Sequence, residues 1–329
     1  MATPDLTALD EERLGEWLLG RRWFGSKAED VSQTHVLDVV ILDDGPPAVA
    51  IVAVEARFPT GTHAIYQLLL GMRAADDGWT ADRLDDVGGL TVYDAFADPQ
   101  AAAVIPRLFV EGATIEGEHA TVEFRWGDEF DRPRPDATVR AMGAEQSNSS
   151  VVLDDTLVLK VFRRLEAGEN PELEMLRFLT SRGFPNIAEL AGWISYSGEL
   201  MDATLGVVQR FVTGGREVIL GMTRDSQFGP VMMFGLGGVF VEVLRDITFR
   251  VPPFTRQEAR RMVEEVQGYP LLSGARGRPK ADVTALVDVI MKVQRLAVDL
   301  HADLAELDIN PLAVLPKGAV ALDALAVPR

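Results

Sequence analysis

Charge is divided unevenly along this 329-residue chain, and that division constrains its folding more than any other feature. Of 50 acidic and 32 basic residues, 14 of each lie at 215–329. Residues 1–214 are left with 36 and 18, so the whole net charge of −18 belongs to the first two thirds. Such a break suggests two differently built units meeting near residue 214. One domain with a solvated acidic face is the alternative, and charge alone leaves both open. A hydrophobic content of 47% suits a folded protein. With no cysteine, the chain has no disulfide scaffold, no cysteine nucleophile and no thiolate metal site. The acidic balance is opposite to that of nucleic-acid or anionic-membrane binders. The longest apolar run, Phe228 to Val241, contains four glycines and is too short to span a membrane. The opening residues carry no positive stretch followed by an apolar core, so no signal peptide is expected and the expected location is cytoplasmic.

Hydrophobic spacing predicts a helix over Leu6–Leu19, then strands at Val36–Leu42, Ala48–Ala56 and His63–Leu70. A short helix is expected at Asp94–Val104, a strand at Thr121–Trp126, and a linker from Gly127 to Asp136. Next come strands at Val139–Met142, Ser150–Leu153 and Leu157–Phe162, with Asp154-Asp155 as a tight turn. A helix follows from Pro171 to Arg182, capped by Asn170. Leu190–Ser195, Thr204–Val212, Glu217–Met222 and Val231–Phe234 read as strands. Thr255-Arg256-Gln257-Glu258 is a capping box, and Val283–Ala297 has strong helical periodicity. Three short strands, Leu304–Asn310, Leu312–Leu315 and Val320–Leu322, close the chain. The expected class is α+β: a small α/β cap, an antiparallel sheet with one helix, then a second α+β unit.

Lysine is scarce, with 5 against 27 arginines, and Lys160 is the one lysine between Lys27 and Lys280. It sits in the apolar strand Leu157–Phe162, where an unanswered ammonium would be costly. The loop Gly143-Ala144-Glu145-Gln146-Ser147-Asn148-Ser149-Ser150 precedes it, with small and hydroxyl residues that let backbone amides approach a polyphosphate. Glu174, in the following helix, is the expected partner of Lys160, with Glu172 as its rival. Loop, strand lysine and helix glutamate in that order follow the logic of a kinase N-lobe. A lysine at a strand end and an exposed glutamate would give the same letters.

Arg21-Arg22-Trp23-Phe24-Gly25-Ser26-Lys27, the loop 143–150, Leu157–Arg164 and Asn170-Pro171-Glu172-Leu173-Glu174 together resemble maltokinase, over about 10–214. That resemblance implies a cap at 1–130, a kinase N-lobe at 131–214, and phosphoryl transfer from ATP to a small sugar such as maltose. It also implies ATP contacts from Gln146, Ser147, Asn148, Ser149 and Lys160, and an adenine-facing hinge with Gln209, Phe211 and Val212. No His-Gly-Asp catalytic loop follows residue 214, so the kinase C-lobe is replaced.

Glu217–Asp225, Phe228–Gly238 and Glu306-Leu307-Asp308-Ile309-Asn310-Pro311-Leu312 resemble the end of the ATP-grasp domain of ADP-forming acyl-CoA synthetases, over 214–329. This implies that Asp308, Asn310 and Asp323 hold Mg²⁺ against ATP. Hard oxygen ligands shared with phosphates suit magnesium. The residues alone leave Asp308–Pro311 equally readable as a turn. His301, near that motif, reads as a solvated helix-end histidine.

Three functional expectations follow. One is a composite Mg-ATP site in which Lys160 and Asp308 face one cleft. Another is an ADP-forming acyl-CoA synthetase component that works with a companion subunit. The last is a non-catalytic fusion with nucleotide binding at most.

Overall fold

The structure is a computed structural model that describes residues 5–25, 30–128, 130–142, 148–237, 246–277 and 279–329. It is a mixed α+β arrangement in which every pairing between named strands is antiparallel. Two units emerge: Met1–Thr180 with Glu189–Phe211, and Ser181–Ala188 with Val212–Arg329.

In the first unit, α1 (Glu11–Leu19) starts where the Asp10 carboxylate accepts from the Arg13 amide at 2.9 Å. Five strands follow: β1 (Gln33–Asp43), β2 (Ala48–Arg57), β3 (His63–Ala74), β4 (Arg83–Val87) and β5 (Leu90–Asp94). They form a sheet in the order β1-β2-β3-β5-β4. β2 is an almost unbroken Ala/Val/Ile run and is buried on both faces, because a core lies on each side. On one side Leu14, Trp17 and Leu18 of α1 join Trp23 and Phe24 over the sheet.

The helix expected at Asp94–Val104 is instead a 3₁₀ turn at Ala95–Ala97, α2 (Pro99–Ala102) and α3 (Val104–Glu111). Asp98 caps the Gln100 amide at 2.9 Å and Pro99 takes the first helical position, so winding begins later than the apolar spacing suggests.

A second sheet has the order β6-β7-β12-β13-β10-β9-β8. Its strands are β6 (Thr114–Glu116), β7 (Ala120–Trp126), β8 (Val139–Ala141), β9 (Asn148–Leu153), β10 (Leu157–Phe162), β12 (Leu190–Gly198) and β13 (Asp202–Arg210). The short β11 (Arg164–Leu165) leaves it to pair with β3 of the first sheet, and α4 (Pro171–Ser181) follows. The expected boundary at 130 therefore does not separate two bodies. β6 and β7 precede it yet pair within the second sheet, and one core joins Val40, Ile51 and Leu69 to Phe124, Leu159 and Ile194. The Tyr196 hydroxyl donates to Asp38 at 2.5 Å inside that core.

In the second unit the sheet order is β16-β15-β14-β17-β18, with β19 on β17. Its strands are β14 (Arg216–Asp225), β15 (Gly229–Leu236), β16 (Ile247–Arg250), β17 (Leu304–Val314), β18 (Ala319–Ala321) and β19 (Ala324–Pro328). The helices are α5 (Arg256–Glu264), α6 (Tyr269–Leu272) and α7 (Val283–Asp299). Thr255 caps α5 through the Glu258 amide, and Asp282 caps α7 through the Ala285 amide. Leu286, Ile290, Val293 and Ala297 line one face of α7 and pack on Val218, Leu220 and Phe234. The loop of chain at 186–188 also belongs here: Asn186 donates through Nδ2 to Ala319 at 2.9 Å, and its carbonyl accepts from the Ala321 amide at 2.9 Å. Among the described residues no helix is long and apolar enough to cross a membrane.

Candidate functional site

The first group of candidate residues stands on β10, which runs between β9 and β13. Lys160 lies opposite Ser150 on one side and Val207 on the other, so these three share a face. Gln209, paired with Val158, belongs to that face too and is buried. Lys160 is only 7% exposed, and its ammonium donates to Glu172 at 2.9 Å. Phe162 contributes its ring at 5.9 Å. Of the two glutamates, Glu172 thus meets the buried ammonium, not the expected Glu174.

Helix phase explains this correction. Asn170 accepts from the Glu172 amide at 2.8 Å, which holds the first turn with Glu172 toward the sheet. Two residues further on, Glu174 is rotated by about 200° and is exposed.

Ser149 also departs from expectation. It pairs with Val161, one position out of step with Lys160, and so takes the opposite face. There its hydroxyl accepts from Arg163 Nε at 2.8 Å. Asn148 opens β9 opposite Phe162. Gln146 and Ser147 lie outside the described residues. Of the expected hinge, Gln209 stays inside the ladder, the Phe211 amide donates to Thr156 at 2.8 Å, and Val212 belongs to the second unit.

The second group stands on β17. Asp308-Ile309-Asn310-Pro311 is not a turn between strands, since β17 runs through it from Leu304 to Val314. The register against β14 slips here: Val218 faces Leu312, but Leu220 faces Ile309. Asn310 and Pro311 therefore oppose a single residue, which is a bulge, a device that re-aims side chains. Three polar groups meet at this place. Asn310 hydrogen-bonds the Asp308 carboxylate through its side chain, and its amide donates to the Asp323 carbonyl at 3.1 Å. Burial pushes the Asp308 carboxyl above its ordinary value, against the Asn310 hydrogen bond, and the charges of Glu306 and Asp323 add to the rise. Asp308 Oδ1 is buried without a hydrogen-bond partner among the described residues.

A buried carboxylate oxygen without a hydrogen-bond partner, here Asp308 Oδ1, is a hard acceptor of the kind a cation such as magnesium takes. Magnesium takes few protein ligands when phosphates supply the others, so Asp308, Asn310 and Asp323 fit it. Among the described residues no cluster of three or more His, Asp or Glu forms a metal cage by itself. His301 is exposed and its ring meets the Val298 carbonyl at the end of α7, away from any such role.

Comparison with known proteins meets both resemblances. Residues 17–98 match the model of the maltokinase N-terminal cap domain, and residues 201–327 match that of an ATP-grasp domain. The chain is 49% identical over 118 residues to the β subunit of acetate–CoA ligase (ADP-forming) I of Pyrococcus furiosus, covering 36% of this chain and 50% of that subunit. It is 53% identical over 112 residues to the II β subunit of the same organism, covering 33% and 48%. The match thus spans about half of each of these relatives. A solved acetyl-coenzyme A synthetase of Ca. Korarchaeum cryptofilum, in complex with coenzyme A and Mg-AMPPCP, is 46% identical over 37% of this chain and 57% of that one, with a TM-score of 0.36.

Proposed function

We propose that this chain binds Mg-ATP through its ATP-grasp-like C-terminal unit and serves as the nucleotide-handling part of an ADP-forming acyl-CoA synthetase, working with a companion subunit. The observation that carries this reading is the buried Asp308 Oδ1, which lacks a donor. The identities of 49% and 53% to β subunits of ADP-forming acetate–CoA ligases support it. In this reading Asp308 and Asp323 place negative charge around the cation, and Asn310 steadies Asp308 by its hydrogen bond. Bound magnesium supplies Lewis acidity and neutralises phosphate charge.

Calorimetry with Mg-ATP tests the proposal on the whole chain. Wild type is expected to bind, and Asp308→Asn to lose about tenfold or more in magnesium-dependent affinity. No binding by wild type, or equal binding by the variant, overturns it.

A second reading rests on Lys160 and Glu172. A desolvated ammonium held at 2.9 Å by a helix carboxylate is the arrangement that positions a phosphate-contacting lysine in kinases. It favours phosphoryl transfer to a sugar such as maltose. ATP consumption separates the two readings. Dependence on acetate, coenzyme A and an added companion subunit favours the first, and dependence on maltose favours the second.

A further inference from the structure

Most arginines of the acidic unit are answered by nearby carboxylates, but Arg22, which lines one of its cavities, has no such partner among the described residues. This cavity measures about 380 Å³ and lies among the 20–23 turn, the end of β5, the edge strand β8 and its neighbour β9. Its charged lining is Arg21, Arg22 and Arg163 against Asp82 and Asp94, three guanidinium groups against two carboxylates.

Arg163 is the centre of the cavity's chemistry. It is 2% exposed, between the rings of Trp23 at 4.8 Å and Phe96 at 5.6 Å. Nε donates to Ser149 at 2.8 Å and Nη2 to Asp94 at 3.0 Å. Nη1 is buried and has no hydrogen-bond partner among the described residues. Leaving a charged donor unanswered in a buried place is costly, so it calls for an acceptor.

The other two arginines differ from each other. Arg21 is committed to Asp82 at 2.8 Å and to the Trp17 ring at 4.1 Å. Arg22 lines the cavity and makes no ion pair or hydrogen bond among the described residues. Two guanidinium groups thus present free donors to one space that carries excess positive charge. Guanidinium forks match the oxygens of phosphate, which brings three acceptors and up to two negative charges.

We propose that this cavity is an anion site for a phosphate dianion, held by Arg163 Nη1 and Arg22. It is a different place from the Lys160 group, because Ser149, which orients Arg163, faces away from Lys160 across the sheet. The volume falls within the range of small-molecule pockets, about 300–1,000 Å³, so the dianion can be free phosphate or the phosphate of a small monoester.

The test is calorimetric titration of the whole chain at constant ionic strength, with inorganic phosphate and with ribose 5-phosphate as probes. Saturable binding of either is expected. Tighter binding of the ester identifies a phosphomonoester site, and tighter binding of phosphate identifies a free-ion site. Arg22→Ala is expected to weaken binding about tenfold or more while leaving the melting temperature without ligand unchanged, since this exposed side chain has no partner to lose. Arg163→Lys keeps the buried charge but removes Nη1, and is expected to weaken binding as well. Arg125→Ala, which removes an exposed guanidinium of β7 outside the cavity, is expected to bind both probes as wild type does. Three results would overturn the site: no saturable binding, an unchanged Arg22→Ala, or a loss in Arg125→Ala equal to that in Arg22→Ala.

Discussion

The scarcity of lysine made Lys160 legible in the sequence, because an ammonium amid Leu157, Leu159 and Val161 needs an answer somewhere. Which glutamate answers was not legible. Glu172 and Glu174 differ by half a helical turn, and the cap at Asn170 sets the phase. Arg163 was missed as well: in a chain with 27 arginines its letter carries no signal, and only burial singles it out. A different single-residue effect is open to titration. The Asp154 carboxyl, beside the Arg134 guanidinium and the Thr138 amide, is held at about 2 rather than 3.8. Its folded-state value is depressed, so its stabilisation is complete above 3.8 and disappears as pH falls through about 2. Arg134→Ala should therefore melt earlier than wild type at pH 6, and the gap should close between pH 3.8 and 2. A gap that persists unchanged to the acid end would refute this origin.

At the scale of elements, periodicity located most strands and the two long helices, since alternation and helical spacing are local properties. It failed where pairing decides the outcome. No strand was expected at Leu90–Asp94, where β5 is buried on both faces and its residues do not alternate. Asp308–Pro311 has the composition of a turn, yet pairing with β14 and β19 keeps it in a strand and turns the misfit into a bulge. The pairing of β10 with β13 also depends on closeness. Gly206 lies opposite Val161, and a Cβ there would sit 2.7 Å from the Lys160 carbonyl oxygen. That neighbour is backbone, so the strands must separate to admit it. Gly206→Ala is expected to destabilise the chain by about 1–3 kcal/mol, read by thermal unfolding. A melting temperature equal to wild type would show that the ladder yields without cost.

At the scale of the molecule, the charge count pointed to a change near 214, and the longer of the two segments that make up the second unit runs from Val212 to Arg329. The count could not show that residues 181–188 belong with the second unit, because eight residues carry no compositional signature. Their role rests on β18. Asn186→Ala removes the donor to the Ala319 carbonyl and should cost about 1 kcal/mol. Hydrogen exchange should quicken at the Ala321 amide, which bonds to Asn186, while β9 and β10 keep their protection. Uniform loss of protection across the chain, or none at Ala321, would contradict that assignment.

The placement of 181–188 bears on how such a chain can be rebuilt. The backbone passes between the two units at 180–181, at 188–189 and again at 211–212, so no single peptide bond divides them. A chimera that exchanges everything after residue 211 would keep a native strap at 186–188 over a foreign strand. Recombination that preserves both units has to bring its own matching strap, and the two resemblances joined in this chain are stitched at three points.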